Sequence, residues 1–107
     1  MIDGLFEEIK RNVLDLYETY KDSEEISERV KDNALSFIKL LSIKGLETLE
    51  DIYPNPNGTI SFDFGIGELE IGNVVMSYFV SKSPIIYGDN IEINEENIKK
   101  FETHIIK

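Results

Sequence analysis

The sequence predicts an α+β domain: an N-terminal helical hairpin packed on a three- to four-stranded antiparallel β-meander, closed by a C-terminal helix. Three observations carry this. Apolar residues recur at three- and four-residue steps through the first half of the chain, alternate with polar ones from about residue 59, and return to helical spacing after residue 94. Helices and strands are thus segregated along the chain, which argues for an antiparallel sheet and against alternating βαβ units. No internal repeat, low-complexity tract or long linker divides the 107 residues, so positions 1–107 are read as one domain.

The first helix is expected over about 3–21. Ile2, Leu5, Phe6, Ile9, Val13, Leu16, Tyr17 and Tyr20 share one face, and Asp3 is the expected N-cap. The second is expected over about 23–43. Asp22 with Glu25 suggests a capping box, Ile26, Val30, Ala34, Phe37, Ile38 and Leu41 form the apolar stripe, and Gly45 suits the C′ position. Leu46, Leu49 and Ile52 fit either a further helical turn or an approach strand.

Tyr53-Pro54-Asn55-Pro56-Asn57-Gly58 ends helix formation and makes a turn. Strands follow at about 59–64, 67–72, 74–81 and 85–87. Ile60, Phe62, Phe64, Leu69 and Ile71 take the core face, and Asp63, Glu68 and Glu70 point outward. Gly72-Asn73 is a hairpin signal. Val74, Met76, Tyr78 and Val80 share one face of the third strand. The other, Val75, Ser77 and Phe79, is apolar enough to suggest partial cover on both sides of the sheet. Ser83-Pro84 breaks that strand, and Gly88-Asp89-Asn90 is read as a turn. Asn94 is the expected N-cap of the last helix, about 95–106, with Ile98, Phe101 and Ile105 inward.

Composition excludes several functions. With 21 acidic and 11 basic side chains the formal charge is −10, a poor basis for gripping phosphates. No apolar run approaches the ~20 residues of a membrane span, and no secretory-signal pattern opens the sequence. The absence of Cys removes disulfides, thiolate zinc sites and thiol catalysis, and fits a reducing cytoplasm. A single histidine, His104, is read as a helix-end residue near the negative end of the dipole, since no Gly-x-Ser-x-Gly elbow accompanies it. Asp51 to Gly58 lacks the alternating acids of a calcium loop. Asp63-Phe64-Gly65 spells a kinase triplet in a chain too short for a kinase, and Gly65-x-Gly67 lacks the third glycine of a dinucleotide fingerprint. No catalytic residue, metal site or cofactor is expected.

Charge distribution is the informative feature. Between Lys44 and Lys82 there is no Lys or Arg, while Glu47, Glu50, Asp51, Asp63, Glu68 and Glu70 all fall there. A surface of one sign steers an oppositely charged partner and speeds association. The competing reading is that the charge only keeps the protein in solution. Tyr53, Tyr78 and Tyr87 are possible interface anchors, each equally readable as a core or edge residue.

Two blocks resemble those of a family of small bacterial proteins without a known activity. That family carries Trp-Asp-Gly-Tyr before a helix, and a Pro-x-Pro-Asp-Gly-x-Ile-x-Leu-Glu-Trp strand entry. The corresponding residues here are Tyr17-Glu18-Thr19-Tyr20, then Ala34, Phe37 and Ile38, and Pro54-Asn55-Pro56-Asn57-Gly58-Thr59-Ile60-Ser61-Phe62-Asp63-Phe64. Tyr17, Thr19, Asn57 and Phe64 depart from the pattern. The resemblance implies a helix-plus-sheet fold and no catalytic residue. It also implies genes on mobile or defence-related segments.

The expected function is therefore a non-enzymatic acidic protein-binding domain: an antitoxin, immunity protein or similar inhibitor that neutralises a basic effector such as a nuclease. Asp63, Glu68, Glu70, Tyr53 and Asn57 are the expected partner-binding residues. The alternatives are a structural subunit or homodimer pairing through the strand edge at Ile85–Tyr87, and a carboxylate- and metal-dependent enzyme.

Overall fold

The structure is a computed structural model and describes residues 2–106. It is α+β, with an N-terminal helical region, a five-stranded antiparallel sheet and a C-terminal helix. The helices are α1 (Ile2–Tyr20), α2 (Glu28–Leu40), α3 (Ile43–Thr48) and α4 (Glu95–Ile105). The strands are β1 (Asp51–Pro54), β2 (Ile60–Asp63), β3 (Gly67–Ile71), β4 (Val75–Val80) and β5 (Ile86–Glu92). They follow one another across the sheet in sequence order, each antiparallel to the last, as a meander.

The expected three to four strands become five because the Leu46–Ile52 stretch is both things at once. Ser42 caps α3 by accepting from the Gly45 amide, and the chain then straightens into β1. Gly45 accordingly sits inside α3, not past the end of α2, which stops at Leu40. The second helix starts later than expected. Ser27, not Asp22 or Ser23, is its N-cap, its hydroxyl accepting from the Val30 amide at 3.1 Å. The expected box partner Glu25 takes a left-handed φ of 55° instead. Asp3 lies within the first turn of α1, which already runs from Ile2.

The α1–α2 connection is fixed by the proline turn. Gly58 has φ 85°, and a Cβ there would stand 2.9 Å from the Glu25 carbonyl oxygen, so the backbones meet where only glycine fits. The same end of the sheet is also tied to α2. Asn33 donates to the Gly72 and Asn73 carbonyls, both at 2.9 Å, in the β3–β4 turn.

All the helices contribute to one core on one face of the sheet. Ile60, Phe62, Leu69, Ile71, Met76 and Val80 face it, as the alternation predicts. Phe37 of α2 packs tilted against Phe62, centroids 4.8 Å apart, and Phe101 of α4 edge-on to Phe64 at 5.4 Å. Tyr78 is buried against Phe101 at 4.9 Å and is a core residue, not an interface anchor. The expected partial cover of the second face comes from the proline turn, whose Asn55 bonds a Ser61 that is only 4% exposed. Away from the turn that face is more open, with Phe79 44% exposed.

Candidate functional site

The open sheet face is built by register. Side chains of one parity on neighbouring strands line up in rows across it. One row runs Asp51, Asp63, Glu68, Phe79, Tyr87; the next runs Tyr53, Ser61, Glu70, Ser77. In the first, three carboxylates stand directly opposite one another across β1, β2 and β3. Such like-charged pairs each cost up to about 1 kcal/mol. The five strands carry Asp51, Asp63, Glu68, Glu70, Asp89 and Glu92, and no Lys or Arg. Among the described residues, every ion pair involves a helix or its flank: Lys21–Glu18, Lys31 with Glu28 and Asp32, and Lys99–Glu102.

The five expected partner-binding residues lie together on or beside this face. The Tyr53 hydroxyl donates to the Glu68 carboxylate across the face. That bond, with burial and the carboxylate's charge behind it, pushes the phenol up to about 12. Glu70 accepts from the Asn57 amide at 3.0 Å and from the Thr59 hydroxyl. Asn55 donates to Thr59 and Ser61 at 2.9 and 2.8 Å, so the proline turn is bound to the sheet. Asp63 accepts only locally, from the Gly65 amide at 2.8 Å, and faces Glu68 in the register. The turn thus prearranges Glu70 and Tyr53 of β1 prearranges Glu68, while Asp63 is less engaged.

Several features escaped the sequence reading. Asp51 belongs to the acidic row because β1 exists. β5 runs through the expected Gly88-Asp89-Asn90 turn, since a bulge opposite Ser77 absorbs an extra residue with Asn90 at φ 51°. The bulge brings Asp89 to the open face, where its carboxylate accepts from Ser77 at 3.1 Å. Asp89, Phe79, Tyr87, Glu68, Glu70 and Ser77 line a groove of about 480 Å³.

A larger cleft of about 740 Å³ runs between α1 and β1, around the sheet edge. Leu5, Ile9, Leu16, Leu46, Leu49 and Ile52 are among its apolar lining. Glu8, Asp15, Glu47, Glu50 and Asp51 rim it, again without a cation. Tyr53 lines this cleft as well as bonding Glu68, so cleft and sheet face adjoin. Only the α1 periodicity combined with β1 reveals it.

His104 lies in the last turn of α4. Among the described residues no group of three or more His, Cys, Asp or Glu is placed to hold a metal ion, and no helix is long and apolar enough to cross a membrane. No family model matches the chain, and no curated protein and no solved structure is significantly similar to it.

Proposed function

We propose that the protein is a cytoplasmic, non-enzymatic binding domain, an antitoxin, immunity protein or comparable inhibitor, that covers a basic effector with its open sheet face. The observation that carries this reading is the row Asp51–Asp63–Glu68 on a sheet without a single cation. Solubility needs charge on the surface, but not like charges held opposite one another. A surface that keeps such repulsion gains when a cationic partner neutralises it. The two-block resemblance leans the same way.

Self-association is the weaker reading. β1 exposes a short edge in which Pro54 has no N–H and the Ile52 amide donates to the Asp51 carboxylate at 2.9 Å. β5, the other edge, is bulged and carries Asp89 and Glu92. These are devices that discourage strand addition, and two copies of the acidic face repel each other.

The test is a paired affinity capture from native cells with the wild-type protein and a Glu68→Lys, Glu70→Lys variant as baits, at physiological salt. The expected result is one dominant basic protein on the wild-type bait that is depleted at least about tenfold on the variant. A partner held equally by both baits, or a wild-type bait recovered alone, contradicts the assignment.

A further inference from the structure

Within the open face, the groove between β3, β4 and β5 has a chemistry narrower than negative charge. Glu68, Phe79 and Tyr87 stand side by side in one cross-strand row. Glu70 and Ser77 stand in the next, with Asp89 bonded to the Ser77 hydroxyl. Phe79 is 44% and Tyr87 74% exposed. A core-facing purpose explains neither ring, and a purely solvating face has no use for them. Three carboxylates and two uncovered rings therefore line the same hollow of about 480 Å³.

We propose that this groove receives an arginine side chain of the basic partner, its guanidinium plane laid on Phe79 or Tyr87 and its N–H groups directed to Glu68, Glu70 and Asp89. The choice of arginine over lysine follows from the lining. A guanidinium is planar, weakly hydrated and forked, so it stacks on a ring while donating sideways to carboxylates. An ammonium is a compact, strongly hydrated charge that the carboxylates alone would satisfy. The bulge supports this arrangement. The Asn90 amide donates to the Ser77 hydroxyl at 3.0 Å, and that hydroxyl donates on to Asp89, holding the carboxylate at the groove. The inference rests on the open face being the surface for a basic protein, and adds which cation it reads.

Blocked oligo-arginine and oligo-lysine peptides of equal length, titrated into the isotope-labelled protein at physiological salt, separate the two statements. The measurement is repeated on Phe79→Ala, Tyr87→Ala protein, whose lost rings are solvent-facing and whose fold is checked by its amide spectrum. The expected result is oligo-arginine binding at least about fivefold tighter than oligo-lysine, with shifts centred on β3–β5. The ring-deleted variant should lose that margin. Equal binding of the two peptides, indifferent to the rings, overturns the arginine groove while leaving the acidic-face reading standing. Shifts centred on the α1–β1 cleft, or no binding of either peptide, also overturn it. The paired capture independently decides whether the broader reading falls too.

Discussion

At the scale of single residues, two carboxylates show how contacts distant in sequence set the local structure. Glu102 is buried on α4, where its Oε2 accepts from both the amide and the hydroxyl of Ser42 at 2.6 Å. It thus holds the N-cap of α3. Gly45 leaves room for it: a Cβ there would collide with that oxygen. Gly45→Ala should therefore cost about 2 kcal/mol in a urea denaturation series, although alanine is the better helix former. No local pattern announces this, because the requirement comes from the far end of the chain. Glu68 acts through Tyr53. The folded phenol keeps its proton above the ordinary value of 10.0, so the contact contributes stability in full below about pH 10 and loses it as pH rises through about 12. An ultraviolet titration should show a late tyrosine step that is absent from Tyr53→Phe. Its persistence in the variant would contradict the contact.

At the scale of elements, the ends of α2 depend on their neighbours. Ser27 accepts from Val30 as the helix cap and also donates to Asn73 in the β3–β4 turn. Ser27→Ala should cost about 1 kcal/mol for the cap, with a further loss for the severed tie, measured by thermal or chemical unfolding. A cost near zero would show that Asn33 alone holds helix and turn together. Much of the fold is legible from periodicity. The stripe of α4, that of α1 from Leu5 to Tyr17, the alternation of β3 and the turn at Asn57-Gly58 follow from local residue types, and the structure keeps them. Tyr20 instead is 40% exposed, Ser61 of β2 is buried, and the side chain of Ile2 lies outside the described residues. β1 is not legible, because four residues beside a proline carry little pattern, and pairing with β2 is what makes them a strand. β5 is cut short in the reading because Gly-Asp-Asn signals a turn, whereas pairing with β4 converts the same residues into a bulge. The candidate site divides along the same line. Alternation alone puts Asp63, Glu68 and Glu70 on one face. The companions Asp51 and Asp89 require strand that local pattern misses, whereas Tyr87 lies within the expected strand at 85–87.

At the scale of the whole molecule, the separation of charge defines the protein. The bases lie on the helices, their connections, the β4–β5 loop at Lys82 and the chain end, while the strands themselves carry acids alone. Size limits what the sheet can do unaided. Five strands at ~4.8 Å spacing and five or six residues of ~3.3 Å span a plane of roughly 20 × 17 Å, whereas a standard interface takes about 800 Å² from each side. On the proposed function, a stable complex would also have to engage the proline turn and the adjoining α1–β1 cleft, so Glu47→Lys with Glu50→Lys should weaken binding severalfold without touching the sheet face. The most direct test of the account is the affinity for the captured partner, measured by calorimetry over a range of salt for the wild type and for Glu68→Lys, Glu70→Lys. The account predicts a wild-type affinity that falls steeply with salt, and a variant that is both weaker and less salt-dependent. Equal affinities with equal salt slopes would contradict the claim that the acidic sheet face is the binding surface.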